Sequence, residues 1–372
     1  MSQYPHHNVN TYSSSAYGRP REIGGRVEGK RSVDVCDRLP CLTARLPTEI
    51  SNALEAVATL GVPLFILLTG YLMLDRDYDG PYLVKYLKRN LLPLVVSFEL
   101  WNILYWALGK VISGNPDAIN FSQMVKIAFF MDDTGSPMWY MPMIIGLYLG
   151  IPIISMLLKR VTATEQRVYA VILLLLLIYF GTAIPTLQQL NNSFNLNIYI
   201  HNVLQMNIFG ASVWGGAVWT LLLVIGYLIK KHHDLVPTTI TIAALCLSLT
   251  AHFFLVGKAV ANNAYSMEYG SIFTVVASAS LFMVIIRYTS SIQHYSNRII
   301  RCFTDFSTYS FSIYMIHIWV LSALSHISAL HTINIYLRYS ILLISGFLVS
   351  FIIARYVLKF IPFLRKWLLL VK

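Results

Sequence analysis

The chain has 372 residues, 56% of them hydrophobic and only 12% charged, with a formal net charge of +11. So few charges cannot coat a soluble globule of this size, and a mean hydropathy of +0.60 calls for lipid as the solvent. The positive balance fits Lys and Arg gathered in cytoplasmic loops beside anionic lipid, so no nucleic-acid partner is expected.

Residues 1–52 come first. They hold seven basic side chains (Arg19, Arg21, Arg26, Lys30, Arg31, Arg38 and Arg45), are rich in Ser, Gly and Pro, and show no helical period. They read as a polar, basic, disordered tail. Residues 1–45 contain no apolar core, so no signal peptide is expected.

Residues 53–372 read as a membrane domain. A spanning helix needs about 20 apolar residues. The runs that qualify are 54–74, 91–113, 138–158, 168–190, 209–229, 238–256, 270–286, 309–330 and 334–354. The expected fold is therefore all-α, a polytopic membrane helix bundle of about nine spans. Charges enter only the first (Glu55), the second (Glu99, Lys110) and the ninth (Arg338). The segment 121–131 is too short to cross and is assigned to the interface.

The loops set an orientation. Basic residues follow the odd-numbered spans: Arg76, Lys85, Lys88 and Arg89; Lys159, Arg160 and Arg167; Lys230 and Lys231; Arg287, Arg298 and Arg301; and Arg355, Lys359, Arg365, Lys366 and Lys372. The even-numbered gaps are poor in Lys and Arg. This alternation places the odd-numbered loops and the C-terminus in the cytoplasm of a bacterial inner membrane. The same parity puts the basic tail outside. One more helix before residue 54 would return it to the cytoplasm, so the pattern is that of about ten spans lacking the first. The alternative is a short basic tail that translocates regardless of its charge.

Cys36, Cys41, Cys246 and Cys302 are scattered, and neither a disulfide framework nor a metal site is expected. No glycine-rich phosphate loop, Gly-x-Ser-x-Gly elbow or zinc spacing appears, which argues against a nucleotide-driven pump and a serine hydrolase.

Four stretches carry recognisable patterns. They are Gly61-Val-Pro-Leu-Phe-Ile-Leu-Leu-Thr-Gly-Tyr-Leu72 with the basic loop 85–89 and Pro93 behind it; Met138-Trp-Tyr-Met-Pro142 running to Gly146-Leu-Tyr-Leu149 and Pro152; Ile225-Gly-Tyr-Leu228; and Ser307-Thr-Tyr-Ser-Phe-Ser-Ile-Tyr-Met-Ile-His317. In this order, across residues 54–358, they resemble the membrane-bound acyltransferase-3 family, the bacterial O-acetyltransferases of surface polysaccharides. That family's first helix, with an Arg or Lys upstream of a His expected to be the catalytic base, has no counterpart here. His6 and His7 sit in the polar tail and do not match it.

The resemblance implies transfer of acetyl from acetyl-CoA to a sugar hydroxyl of a cell-envelope polysaccharide, O-antigen or enterobacterial common antigen. The acceptor would be a lipid-linked or polymeric glycan at the membrane. Such chemistry needs a base for the hydroxyl, support for the oxyanion and a hold on both substrates. His317 and Glu99, ionisable groups inside spans, are the catalytic candidates; the alternative for each is a helix–helix hydrogen bond. His252, near the outer end of its span, reads better as an interfacial histidine. Lys85, Lys88 and Arg89 suit the phosphates of coenzyme A, or merely mark the cytoplasmic side. Trp139, Tyr140, Tyr71 and Tyr314 are the substrate-binding candidates. The alternatives are an aromatic belt for Trp139 and Tyr140, and helix packing for Tyr71 beside Gly70. Trp101 and Trp106 are left to packing. Two further readings stay open: a glycan or lipid-linked sugar transporter, and an inactive remnant of such an enzyme.

Overall fold

The computed structural model describes residues 48–112, 120–128, 139–196, 198, 216–262, 268–292, 297–327, 329–357 and 364–370. The tail expectation for residues 1–47 lies outside them. Among the described residues every regular element is helical. The first helix, α1 (Thr48–Ala58), starts inside the range assigned to the tail. Thr48 follows Pro47 and precedes Glu49, a start signal that outweighs the polar composition upstream. A turn at Thr59 and Leu60 leads into α2 (Gly61–Met73).

The chain continues through α3 (Gly80–Tyr86), α4 (Leu92–Ile112), α5 (Phe121–Ala128), α6 (Tyr140–Arg160), α7 (Thr164–Ile178), α8 (Ile184–Phe194) and α9 (Gly216–His232). After these come α10 (Thr238–Ala261), α11 (Ile272–Ile292), α12 (Asn297–Ser325), α13 (Ala329–Thr332) and α14 (Ile335–Ile352). Two joints are π turns, Leu87–Leu91 between α3 and α4 and Tyr179–Ala183 between α7 and α8. Each precedes a proline, Pro93 or Pro185, whose ring would strike the carbonyl four residues back. That carbonyl belongs to Arg89 or Gly181, inside the widened turn, so the π geometry relieves the clash.

Seven stretches among the described residues are long and apolar enough to cross a membrane: Asn52–Met73, Gly80–Val111, Tyr140–Arg160, Thr164–Phe194, Thr238–Ala261, Ile272–Thr289 and Ile335–Tyr356. The other two expected crossings, 209–229 and 309–330, fall on α9 and α12. The described part of α9 is 17 residues long, and α12 carries Arg301 and Asp305 in its first half and Ser, Tyr and His in its second. Large apolar side chains face outwards as well as into the core, and polar ones are buried among them. Val168, Ile172 and Leu175 of α7 and Leu343 of α14 are exposed, whereas Ser97, Asn102, Gln189, His252 and Thr274 are buried. Apolar side chains facing outwards and polar ones facing inwards are what a hydrocarbon surround selects.

The tightest crossing joins α2 to α9. A Cβ on Gly70 would lie 1.9 Å from the Leu223 carbonyl oxygen, and one on Gly226 would lie 2.1 Å from that of Leu67. Both positions need glycine, because the two backbones touch there. The two glycines belong to matching Gly-Tyr-Leu triplets, 70–72 and 226–228.

Polar contacts gather the odd-numbered connections at one face. Asp75, after the first span, is paired with Lys230 at 3.0 Å and Lys231 at 2.7 Å, after the fifth. Asp77 is paired with Lys159, after the third, at 2.6 Å. The Lys231 ammonium, followed by Lys230, holds the Asp75 carboxyl below its ordinary range. Arg287, after the seventh span, donates to Thr241 Oγ1 at 2.9 Å and to the carbonyls of His233 and Val236. Arg355, after the ninth, pairs with Asp305 at 2.5 Å. The basic loops thus meet on a single side of the bundle, the arrangement that their charge alternation requires.

Candidate active site

An aromatic basin forms where α6 begins. Trp139 caps that helix and Tyr140 opens it. The Trp139 ring lies 6.3 Å from Trp219 of α9 and 5.7 Å from Tyr269, just ahead of α11. Trp219 and Tyr269 are themselves 5.4 Å apart. Trp219 is fully buried and backs the half-buried Trp139 and Tyr269. Tyr140 meets Tyr314 of α12 edge to face at 5.6 Å, and Tyr314 lies 5.9 Å from the His317 ring. Trp139, Tyr140, Tyr314 and His317, four of the residues singled out from sequence, therefore come together.

The tautomer of His317 is set by its own helix. Its Nδ1 lies 2.6 Å from the Tyr314 carbonyl oxygen. A carbonyl only accepts, so the proton resides on Nδ1 and the lone pair on Nε2. Tyr105 of α4 braces the same turn by donating to the Met315 carbonyl at 2.6 Å, and its ring packs 4.8 Å from Trp319.

The other candidates stand apart from the basin. Tyr71 packs edge-on against Phe282 at 5.7 Å, with the Lys230 ammonium 5.8 Å from its ring, so it belongs to the face where the basic loops meet. Lys85, Lys88 and Arg89 are exposed on α3 and the π turn behind it. Glu99 lies on α4, and both its carboxylate oxygens are buried with no hydrogen-bond partner among the described residues. Three features escaped sequence reasoning. Trp219 and Tyr269 were readable only as aromatic residues at outer span ends, since nothing local says that they meet Trp139. His252 is fully buried, not interfacial, with Nδ1 3.2 Å from Thr274 Oγ1, which in turn donates to the Glu268 carbonyl at 2.9 Å. Burial pushes the Glu268 carboxyl up to about 7.

The third feature is the C-terminal segment, which folds back into the bundle as a π turn, Leu364–Leu368, with Leu368 and Leu369 buried. Ser97 Oγ and Trp101 Nε1 of α4 both donate to the Leu368 carbonyl, at 3.0 and 2.8 Å. Ser312 Oγ of α12 donates to the Leu369 carbonyl at 3.1 Å.

No cluster of three His, Cys, Asp or Glu able to hold a metal ion occurs among the described residues. No curated protein and no solved structure matches the chain. The acyltransferase-3 family model, an acyltransferase domain, matches residues 42–355. That span contains the aromatic basin, His317 and Glu99, and with the apolar helices around them it makes the chain a multi-pass membrane acyltransferase, a member of the acyltransferase-3 family.

Proposed function

We propose that this protein transfers acetyl from acetyl-CoA to a sugar hydroxyl of a cell-envelope polysaccharide, O-antigen or enterobacterial common antigen, across the bacterial inner membrane. The observation that carries the reading is His317 with its proton fixed on Nδ1 by the Tyr314 carbonyl at 2.6 Å, beside the Trp139–Tyr140–Tyr314 wall. Aromatic faces suit the apolar face of a pyranose, and a free Nε2 suits its hydroxyl.

The glycan, on a lipid carrier or growing chain, enters from the face opposite the basic loops. Coenzyme A docks at the basic face, with its phosphates on Lys85, Lys88 and Arg89. His317 Nε2 takes the hydroxyl proton as the oxygen attacks the thioester carbonyl. The tetrahedral intermediate collapses with loss of the coenzyme A thiolate, and the imidazolium returns its proton to that sulfur. Glu99 adds a polar group to the path between the two faces. The C-terminus lies in the cytoplasm.

The test compares acetyl content of envelope polysaccharide from cells with the gene, without it, and with the gene carrying His317→Ala. Acetyl present only with the unaltered gene is the expected result. Equal content in all three strains would overturn the assignment.

A further inference from the structure

Three buried donors on two helices converge on successive backbone carbonyls. Ser97 and Ser312 are fully buried and Trp101 is nearly so. Elsewhere in the spans, hydroxyls such as those of Thr69, Thr186, Ser248 and Ser350 bond the carbonyl one turn back in their own helix. That option is open to Ser97 and Ser312 as well. Both instead leave their helix and, with Trp101 Nε1, point into the gap between α4 and α12. In hydrocarbon, a gap lined by outward-pointing donors demands an occupant rich in carbonyls. The occupant here is the C-terminal turn, a segment that follows the basic side of α14.

We propose that this gap is the seat of the pantetheinyl arm of the acyl donor, and that the C-terminal turn occupies it as a displaceable stand-in. The inference rests on the acyl-CoA reading above. Pantetheine is a linear chain with two amide carbonyls, spaced by one methylene more than neighbouring peptide carbonyls. The same three donors serve either occupant, so exchange leaves none of the three unpaired. Along α12, Ser312 lies five residues before His317, a rise of about 7.5 Å and about 140° round the helix, so the seat lies one to two turns from the reacting centre and round the helix from it. The phosphates stay at the basic face.

The test uses the full chain in inverted membrane vesicles, with Cys36, Cys41, Cys246 and Cys302 replaced by serine and Leu370→Cys introduced. Labelling by a membrane-impermeant maleimide is timed with and without desulfo-coenzyme A, which has no thiol of its own. Its binding is measured in parallel by equilibrium dialysis. Displacement predicts several-fold faster labelling when desulfo-coenzyme A is bound. A second variant, Leu369→Ala, weakens only the stand-in and lowers KM for acetyl-CoA by about tenfold at unchanged kcat. Bound desulfo-coenzyme A with an unchanged labelling rate makes the turn a fixed anchor and overturns the proposal, while the donor reading stands. A KM for Leu369→Ala that stays level or rises counts the same way. Absence of binding removes both.

Discussion

In the proposed reaction, His317 is the residue on which the chemistry turns. Its main-chain partner survives substitution of the side chain, so His317→Ala removes the base and leaves the Tyr314 turn in place. The expected loss in kcat is about 10²- to 10⁴-fold, with KM for acetyl-CoA unchanged, measured as acetyl transfer in membranes holding equal amounts of protein. A rate within a few-fold of the parent would assign the proton transfer to another group. Glu268 yields a second prediction. Burial pushes its folded carboxyl up to about 7, above its ordinary value of 4.5. The fold therefore favours the neutral form. The penalty for ionisation is absent below about 4.5, grows as pH climbs towards 7, and is complete above that. In detergent, the thermal midpoint should fall between pH 5 and pH 8. Glu268→Gln should flatten that slope, and a slope equal to the parent's would mean that the carboxyl titrates normally.

Among elements, the α2–α9 crossing is the least tolerant of change. Gly70→Ala or Gly226→Ala forces two backbones apart and should destabilise the bundle by about 3 kcal/mol, seen as a lower yield of folded protein in membranes. Gly61→Ala and Gly80→Ala are the controls, because nothing lies within 4 Å of their would-be Cβ atoms. Yields equal across all four variants would refute the close contact. This crossing was legible in the sequence as two Gly-Tyr-Leu triplets at span ends, although not as partners. Span positions were legible for the same reason throughout: α6 over Tyr140–Arg160 and α10 over Thr238–Ala261 follow the expected runs 138–158 and 238–256 closely, since hydrocarbon thickness fixes the length of an apolar run. The C-terminal turn was not legible. Trp367–Val371 is an apolar run too short to cross and flanked by Lys366 and Lys372, so local composition reads as a cytoplasmic tail. Its burial depends on Ser97 and Trp101, more than 260 positions away. The basin was half visible, because Tyr314 and His317 share a helical face while Trp219 and Tyr269 join only through tertiary packing.

For the molecule as a whole, contacts among Asp75, Asp77, Lys159, Lys230 and Lys231 hold three loops at one face, and the aromatic basin lies at the opposite end of α6. Reporter domains fused after Arg89 and after Asn195 should accordingly report opposite compartments, cytoplasmic for the first. The same compartment for both would break the threading. The level of the basin has a consequence for what can enter. Tyr140, the first residue of α6, touches Tyr314, and α12 continues eleven residues beyond Tyr314 to Ser325, about 16 Å of helix. On the proposed reaction, an acceptor hydroxyl coming from that end passes the eight residues from Ser325 to His317, about 12 Å of helix, before it meets Nε2. A sugar at the free end of a glycan, or alone on its carrier, can make that descent. One in the middle of a finished polymer would have to drag both neighbouring strands down with it. On the proposed reaction, modification would be timed to synthesis: each unit is decorated while it is still terminal, and a completed chain passes untouched.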